Sequence, residues 1–343
     1  MNSQSKSPLH IQSRWLHRLA VVVVCTTYPL IWVGGLVTTQ KAGMAVPDWP
    51  STYGYNLFLY PWQTWVFGPF DLFIEHGHRL LASLVGMLCI ALVIVAWRTE
   101  GRRWITWFAV IGLLMVIGQG LLGGIRVEAD EVLMARIHGC VAPLCLAWLV
   151  YVEVISSRRW QNLSPAVGAP SKAAMTLHRW SFTLLGLAYL QIVLGSLLRH
   201  VTPMTLHSQY RVSVLFHVVT AVAVLMTMLL LAVHIQWHHR EARTLVRLSR
   251  IGVVAVLFQF GLGISTWIFK FNWPEILPGK AYAPGLLIEA GSAVQAGIVT
   301  GHVAVGSMIL AVAVVLVTYA AGYFPTGWPE WASEVRSMKG VVA

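Results

Sequence analysis

Charge is what this 343-residue chain has least of: 11% of its residues are charged against 57% hydrophobic, and 13 acidic residues face 24 basic ones. A soluble globular domain carries roughly a quarter charged residues, so a water-soluble fold is excluded, and so is a solvated, acidic, disordered chain. Cysteine is equally sparse. The four present, Cys25, Cys89, Cys140 and Cys145, all fall within apolar stretches, so no pair is placed in a loop facing an oxidising compartment. A phosphate loop, a hydrolase triad and a structural zinc pattern are missing too. The glycine clusters Gly34-Gly35, Gly118-Gln119-Gly120 and Gly123-Gly124 read instead as close-packing devices for membrane helices. ATP-driven transport drops out with the phosphate loop.

What is present is apolar length. Eight runs of the roughly 20 residues that a helix needs to cross the hydrocarbon core occupy 15–39, 75–97, 104–124, 132–155, 177–198, 212–235, 246–269 and 293–319. An all-α integral membrane protein is expected. The net charge of +11 would suit nucleic acid, but the basic residues are distributed as a topology signal. Arg14, Arg18, Arg98, Arg102, Arg103, Arg158, Arg159, Arg243, Arg247 and Arg250 lie at the start of the first run or follow even-numbered ones. The positive-inside rule then puts both termini in the cytoplasm, and no nucleic-acid partner is expected. The first run lacks a small-residue cleavage site, so it is expected to stay as an anchor.

The chain also repeats itself. Leu16-His17-Arg18 opens the first run and Leu177-His178-Arg179 the fifth, and Gln119-Gly120 in the third is echoed by Gln259 ahead of Gly261 in the seventh. Two pseudo-symmetric four-helix bundles, 1–160 and 161–343, are expected in the same orientation about an axis along the membrane normal. The polar stretch 156–175, with Ser156, Ser157, Pro165, Gly168, Pro170 and Ser171, would link them. Two long loops, 40–74 and 270–291, carry several prolines and are expected to lie as lids over one membrane face.

Four histidines stand out: His78, His138, His217 and His302, each one to three turns into an even-numbered run and therefore all in one leaflet. Each has a small residue four positions later on the same helical face, namely Ala82, Ala142, Ala221 and Gly306. An ionisable or metal-binding side chain inside a membrane is costly and by default marks function. Imidazoles at matching depth on adjacent helices, with room for a flat macrocycle, suggest two haems, one between His78 and His138 and one between His217 and His302. His17 and His178 lack the pattern, being followed by Val21 and Phe182. The plain alternative is four buried histidines bonded to backbone.

Other polar residues carry two readings each. Glu75 precedes His78 by three residues and shares its face, as a proton carrier would; it also precedes Arg79 by four, the spacing of an ion pair at the helix mouth. Arg79, Arg126, Arg136, Arg199 and Arg211 are candidate partners for haem propionates, since a guanidinium forms paired hydrogen bonds with a carboxylate, or are ordinary interfacial cations. His76 is expected at the interface, and His207, His234, His238 and His239 in solvent at run ends. On these residues alone, a di-haem carrier that oxidises quinol, a haem transporter and a haem-modifying enzyme all stay open.

The stretch Gly34-Gly35-Leu36-Val37-Thr38-Thr39-Gln40-Lys41-Ala42-Gly43-Met44-Ala45-Val46-Pro47-Asp48-Trp49-Pro50, with Ile74-Glu75-His76-Gly77-His78-Arg79 and Thr300-Gly301-His302, resembles the haem A synthase family over essentially all eight runs. The resemblance implies haem O as substrate between His78 and His138, a permanent b-type haem between His217 and His302, and Glu75 as the acid of the reaction. The activity implied is an oxidoreductase that takes a ring methyl of haem O to a formyl through successive hydroxylations, giving haem A for cytochrome oxidase. It further implies a bacterial cytoplasmic membrane, and as partners membrane lipid, haem O synthase, cytochrome oxidase assembly factors and an electron donor, with a homo-oligomer allowed. Two features depart from the family pattern. Val46 stands where members often carry a cysteine, and Val218 and Val303 follow His217 and His302 where arginine is often found.

Overall fold

In a computed structural model, which describes residues 14–129, 132–166, 171–201, 205–271 and 292–325, the apolar runs become eight long helices. These are α1 (Arg14–Thr39), α2 (Phe70–Thr99), α3 (Arg103–Ala129), α4 (Val132–Ser156), α5 (Lys172–Arg199), α6 (His207–His238), α7 (Arg243–Phe271) and α8 (Ala293–Tyr323). Each is long and apolar enough to cross a bilayer, which makes the chain a multi-pass membrane protein. Helices answer the demand that hydrocarbon imposes, because every main-chain polar group finds its partner within its own segment.

Three helices start five residues before their apolar runs: α2 at Phe70, α5 at Lys172 and α6 at His207. Hydropathy falls where a helix enters the headgroup layer, but its hydrogen bonding does not. A serine caps the start of α5, Ser171 accepting from the Ala174 amide at 3.1 Å, and another that of α8, Ser292 accepting from the amide of Gln295 at 3.2 Å.

Helix α1 packs on α2 and α4, and α3 on the same two, closing one four-helix bundle; α5, α6, α7 and α8 close a second in the same cyclic order. The bundles meet through α4 and α8, with α1 also against α8 and α4 against α5. Accordingly α4 and α8 are the most enclosed helices. Elsewhere apolar stripes face outward, as with Leu84, Met87, Ile90 and Ile94 of α2 or Val219, Val222, Met226, Leu230 and Val233 of α6. In water such stripes would drive aggregation; against acyl chains, which are as apolar as leucine, they do not.

The larger apolar core of each bundle lies toward one end, with a small cluster of Val37, Ala42 and Ile74 at the other end of the first. In the first, Leu16, Ala20, Leu92, Ala96, Ile105, Leu149 and Ile155 pack together. In the second, Leu177, Leu184, Leu231, Ile235, Leu245 and Leu316 do so. The four histidines occupy the opposite end. Pro143 of α4, which has no N–H to donate, leaves the carbonyl of Gly139, next to His138, without its helical partner. Between the bundles, a short helix (Arg158–Gln161) is capped by Ser157, and the Ala166 amide donates to Tyr323 at 2.8 Å, tying the linker to the end of α8.

Candidate functional site

Each of the four histidines leans against a glycine of the odd-numbered helix before it. A methyl group added to Gly34 of α1 would lie 2.8 Å from Cε1 of His78. On Gly123 of α3 it would lie 3.2 Å from Cε1 of His138, on Gly195 of α5 3.3 Å from that of His217, and on Gly263 of α7 3.2 Å from that of His302. Non-bonded carbons settle at about 3.5–4.0 Å, so any side chain at these positions would push on the ring. One contact is thus made four times: the odd helix leaves a notch, and the even helix seats an imidazole in it by its Cε1 and Nδ1 edge. The small residues expected to make room, Ala82, Ala142, Ala221 and Gly306, lie on the histidine's own helix; the observed room lies on its neighbour. A sequence signal does exist, since the notches follow Leu30, Gln119, Gln191 and Gln259 by four residues each.

The second pair of rings has the spacing of a shared metal. The ring centres of His217 and His302 are 6.3 Å apart and inclined at 66°. Two imidazoles facing each other across one first-row metal ion have centres about 6 Å apart, because each metal–nitrogen bond is about 2 Å. His78 and His138 are near enough to interact electrostatically. Nδ1 of all four is buried and makes no sound hydrogen bond, although the main-chain carbonyls of Leu30, Gln119 and Gln259 come close to His78, His138 and His302 respectively. Buried polar atoms are normally satisfied. Unsatisfied ring nitrogens in four glycine notches fit imidazoles whose other nitrogen binds metal, with Nδ1–H turned toward a carbonyl at His78, His138 and His302.

Glutamines of the odd helices reach three of these seats, two at the main chain and one at the ring nitrogen that a metal would take. Gln119 donates to the carbonyl of His138 at 2.9 Å, Gln259 to that of His302 at 2.8 Å, and the amide of Gln191 lies 3.1 Å from Nε2 of His217. His17 and His178 bond elsewhere, to the carbonyls of Glu153 (3.3 Å) and Phe324 (2.6 Å). Among the described residues no three His, Cys, Asp or Glu side chains cluster as a metal site. Paired imidazoles therefore suit a metal whose remaining ligands come from a macrocycle, as in haem.

The loop between α1 and α2 folds over the histidine end of the first bundle. Nη1 of Arg79 donates to the carbonyls of Asp48 (2.6 Å) and Ser51 (2.9 Å), and Nη2 to that of Val46 (2.8 Å) and to Glu75 Oε1 (2.9 Å). Four of its five N–H donors are thereby engaged. Glu75, only 3% exposed, accepts the Val46 amide on its other oxygen at 2.9 Å. The ion-pair reading of Glu75 and Arg79 is therefore realised, with Val46 clamped between them. Asp48 closes the next turn by accepting from the amides of Gly54 and Tyr53 and from the Ser51 hydroxyl. Burial pushes its carboxyl up, but these bonds outweigh it and hold the pKa below the ordinary value. Tyr53 and Gly54 both take left-handed backbone angles in this turn, with φ of 51° and 77°. Trp49 packs its indole flat against Gly124, where any side chain would overlap it, and its amide donates to Glu128 at 3.1 Å. The loop is thus latched to α2 and α3 next to the seat of His138.

Two expectations about histidines need correction. His76 is not an interfacial residue: it is 2% exposed, bonded at Nδ1 to Thr52 Oγ1 at 3.0 Å and flanked by Tyr60 and Trp65, because the loop covers it. His234 and His239 are not simply solvated. Both turn Nε2 to the Ala173 carbonyl, at 2.9 and 3.4 Å, where the end of α6 meets the start of α5. His238 is exposed as expected. The side chain of His207, and loop residues 272–291, lie outside the described residues.

The candidate arginines divide. Arg126 lies against Gly43, within electrostatic reach of Glu75, His78 and His138. Arg199 donates through Nη2 to the Gly35 carbonyl and to Thr39 Oγ1 (3.1 Å), and Arg136 through Nη2 to the His200 carbonyl at 2.9 Å. Arg211 is exposed in an open groove with Tyr210, Val214, Leu215, Val218 and Trp267. His200 was not legible as a site residue in the sequence, since it follows the end of α5 with no periodic partner. Burial holds its pKa at about 4, opposed by a bond to the Ser196 carbonyl and reinforced by Arg199, Arg136 and Arg126.

Residues 17–207 match the COX15-CtaA family, described as cytochrome oxidase assembly protein. The match takes in Glu75, His78 and His138; His217 and His302 lie beyond it. "Heme A synthase" of Shouchella clausii is 35% identical over 138 residues, which are 39% of this chain and 44% of that protein. "Heme A synthase" of Listeria monocytogenes is 28% identical over 141 residues, 40% and 43% of the two chains. "Heme A synthase" of Geobacillus kaustophilus is 25% identical over 272 residues, 72% and 81% of the two. The chain thus spans less than half the length of the first two relatives.

Proposed function

Because the chain belongs to the COX15-CtaA family of cytochrome oxidase assembly proteins, the haem A synthase family, we propose that it is itself a haem A synthase. On this reading it oxidises a ring methyl of haem O to a formyl through successive hydroxylations. The observation that carries it is the fourfold seating of histidines against glycines, with His217 and His302 at the 6.3 Å spacing of one metal. His78 and His138 hold haem O in the first half, 1–160, and His217 and His302 hold a resident b-type haem in the second, 161–343. When bound, haem supplies the iron redox chemistry.

The chain's own residues do the rest. The glycine notches fix the ring directions, and Gln119 and Gln259 hold the main chain at His138 and His302. Glu75 keeps a carboxylate one turn from His78, shielded by the loop that Arg79 and Asp48 fold, and serves there as proton acceptor. Arg126, Arg136 and Arg199 suit the propionates; Arg79 is engaged by the loop and Arg211 faces outward. Haem O reaches its site laterally from lipid, and electrons arrive from a donor by way of the second half. Haem O synthase upstream and cytochrome oxidase assembly factors downstream are the partners this chemistry calls for. The distribution of basic residues supports a reading with both termini on the cytoplasmic side, and the bacterial relatives support an inner-membrane location.

Membranes supplied with haem O test the reading, by extracting the pigments and weighing them. Wild-type protein yields the formyl product. Glu75→Gln, which keeps an acceptor for the Val46 amide, retains bound haem O and yields none. Formyl product at the wild-type rate would remove Glu75 from the chemistry. Two tightly held b-type haems and no product from the wild type would make the chain an electron carrier.

A further inference from the structure

Where the two bundles meet at the histidine end, positive charge converges with little to balance it. Arg199, at the end of α5, reaches from the second bundle into the first, bonding the Gly35 carbonyl and Thr39 Oγ1 of α1. Thr300 of α8, two residues before His302, donates to the same Thr39 hydroxyl at 3.2 Å. Gly35 adjoins Gly34, the seat of His78, and a methyl on Gly35 would come within 2.9 Å of Thr300. Arg199 therefore stands one residue from the seat of one candidate ligand and, through Thr39 and Thr300, two residues from another. It is also within electrostatic reach of His302.

Arg136 approaches from α4. It donates to the His200 carbonyl while Ser196 Oγ donates to the Arg136 carbonyl at 3.3 Å, and Arg126 acts electrostatically on both Arg199 and His200. None of the hydrogen bonds of Arg199 or Arg136 goes to a carboxylate, and neither residue forms an ion pair among the described residues. Each keeps a buried Nε with no partner. The Arg199 guanidinium is deeply enclosed even though the residue as a whole is part-exposed. Arginine does not give up its proton in proteins, and an enclosed cation without an anion is strongly disfavoured. The Nε and Nη donors of a guanidinium form a fork that matches a carboxylate.

We propose that this junction is a carboxylate-binding site shared by the two porphyrin sites, with Arg199 as the residue that the propionate side chains of both occupants engage. The proposal rests on the reading of the paired histidines as haem sites, and deepens it. A shared cation would make the two halves interdependent in binding, which a set of separate propionate partners does not.

The test uses the full chain in detergent and two probes, iron protoporphyrin and its dimethyl ester, whose carboxylates are blocked. His78→Ala or His217→Ala leaves one intact pair, so each site is titrated separately. The free acid is expected to bind more tightly than the ester at both sites. Arg199→Gln is expected to weaken the free acid by about ten- to a hundredfold at both, the range of one charge-assisted hydrogen bond, and to leave the ester unchanged. Arg199→Lys, which keeps the charge without the fork, serves where the glutamine variant does not fold, and is expected to show a smaller loss at both sites. Equal binding of acid and ester overturns the carboxylate site. A loss confined to one site overturns its being shared. Absence of binding by either probe to wild-type protein overturns the haem reading, and this inference with it.

Discussion

Gln191 and His217 meet through their side chains, amide nitrogen to ring Nε2, at 3.1 Å. Gln191 precedes its notch glycine by four residues, as Gln119 and Gln259 precede theirs; at the corresponding place before Gly34 stands Leu30. The repeat is thus broken at His78, the one candidate ligand without a glutamine from the neighbouring helix. That difference suits a first site that must exchange its occupant and a second that keeps it. Leu30→Gln is expected to slow porphyrin exchange at the first site, and Gln259→Leu, which removes the bond to the His302 carbonyl and leaves the ring nitrogens untouched, to speed loss from the second. One neutral hydrogen bond contributes about 0.5–1.5 kcal/mol, so changes of roughly two- to tenfold should appear when bound haem is followed by absorbance during transfer to an acceptor such as apomyoglobin. Unchanged exchange in both variants would mean that the glutamine is incidental.

The notches make a graded prediction. Alanine at Gly34, Gly123, Gly195 or Gly263 forces the imidazole to move, and overpacking of this kind costs about 1–3 kcal/mol. Gly34→Ala should be the most severe, since its methyl meets His78 at 2.8 Å against 3.2–3.3 Å at the other three. Haem content per chain and melting temperature in detergent should fall together. Gly86 is the control: nothing lies within 4 Å of an added methyl there, so Gly86→Ala should be neutral or stabilise by up to about 1 kcal/mol through helix propensity.

Some of this was legible in the sequence, for identifiable reasons. Hydropathy alone marks the eight helices, because bilayer thickness sets a length that few other structures imitate. His78, His138, His217 and His302 are legible because a histidine in hydrocarbon is costly enough to need a reason. The notches were not. A glycine at position 123 looks the same whether it faces lipid, a helix or an imidazole, and only the rotation of α3 against α4 decides. His76 was misplaced because its burial comes from Thr52, Tyr60 and Trp65, a loop partner that helical periodicity does not see. The Pro-Asp-Trp-Pro motif was visible as a pattern, but its mechanics, Asp48 closing the turn and Trp49 lying on Gly124, needed coordinates.

Arg79 is the latch of that loop. Arg79→Gln removes the hydrogen bonds to Val46, Asp48 and Ser51 and leaves Glu75 buried without its cation. Breaking a buried pair from one side costs about 3–5 kcal/mol. The expected outcome is a loop that opens locally while the bundles stay folded, seen as faster hydrogen exchange or protease cleavage between Val46 and Tyr55 with little change in helicity. Cleavage at the wild-type rate would show that Trp49 on Gly124 and the Glu128 bond are enough to hold it.

His200 gives the junction a pH signature. Its pKa in the folded protein is about 4 against an ordinary 6.5, because burial and the neighbouring arginines disfavour the imidazolium. Between those two values the unfolded chain binds a proton that the folded chain refuses. Stability therefore rises with pH through that window and is lost as pH falls through it. His200→Gln retains an amide to bond the Ser196 carbonyl but cannot titrate, so its melting temperature in detergent should fall less than that of the wild type between pH 6.5 and about 4. Other histidines titrate in both proteins, which makes the difference between the two curves the quantity to read. Parallel curves would mean that water reaches His200 and that the arginines around it are solvated, which would also weaken the case for an enclosed carboxylate site at Arg199.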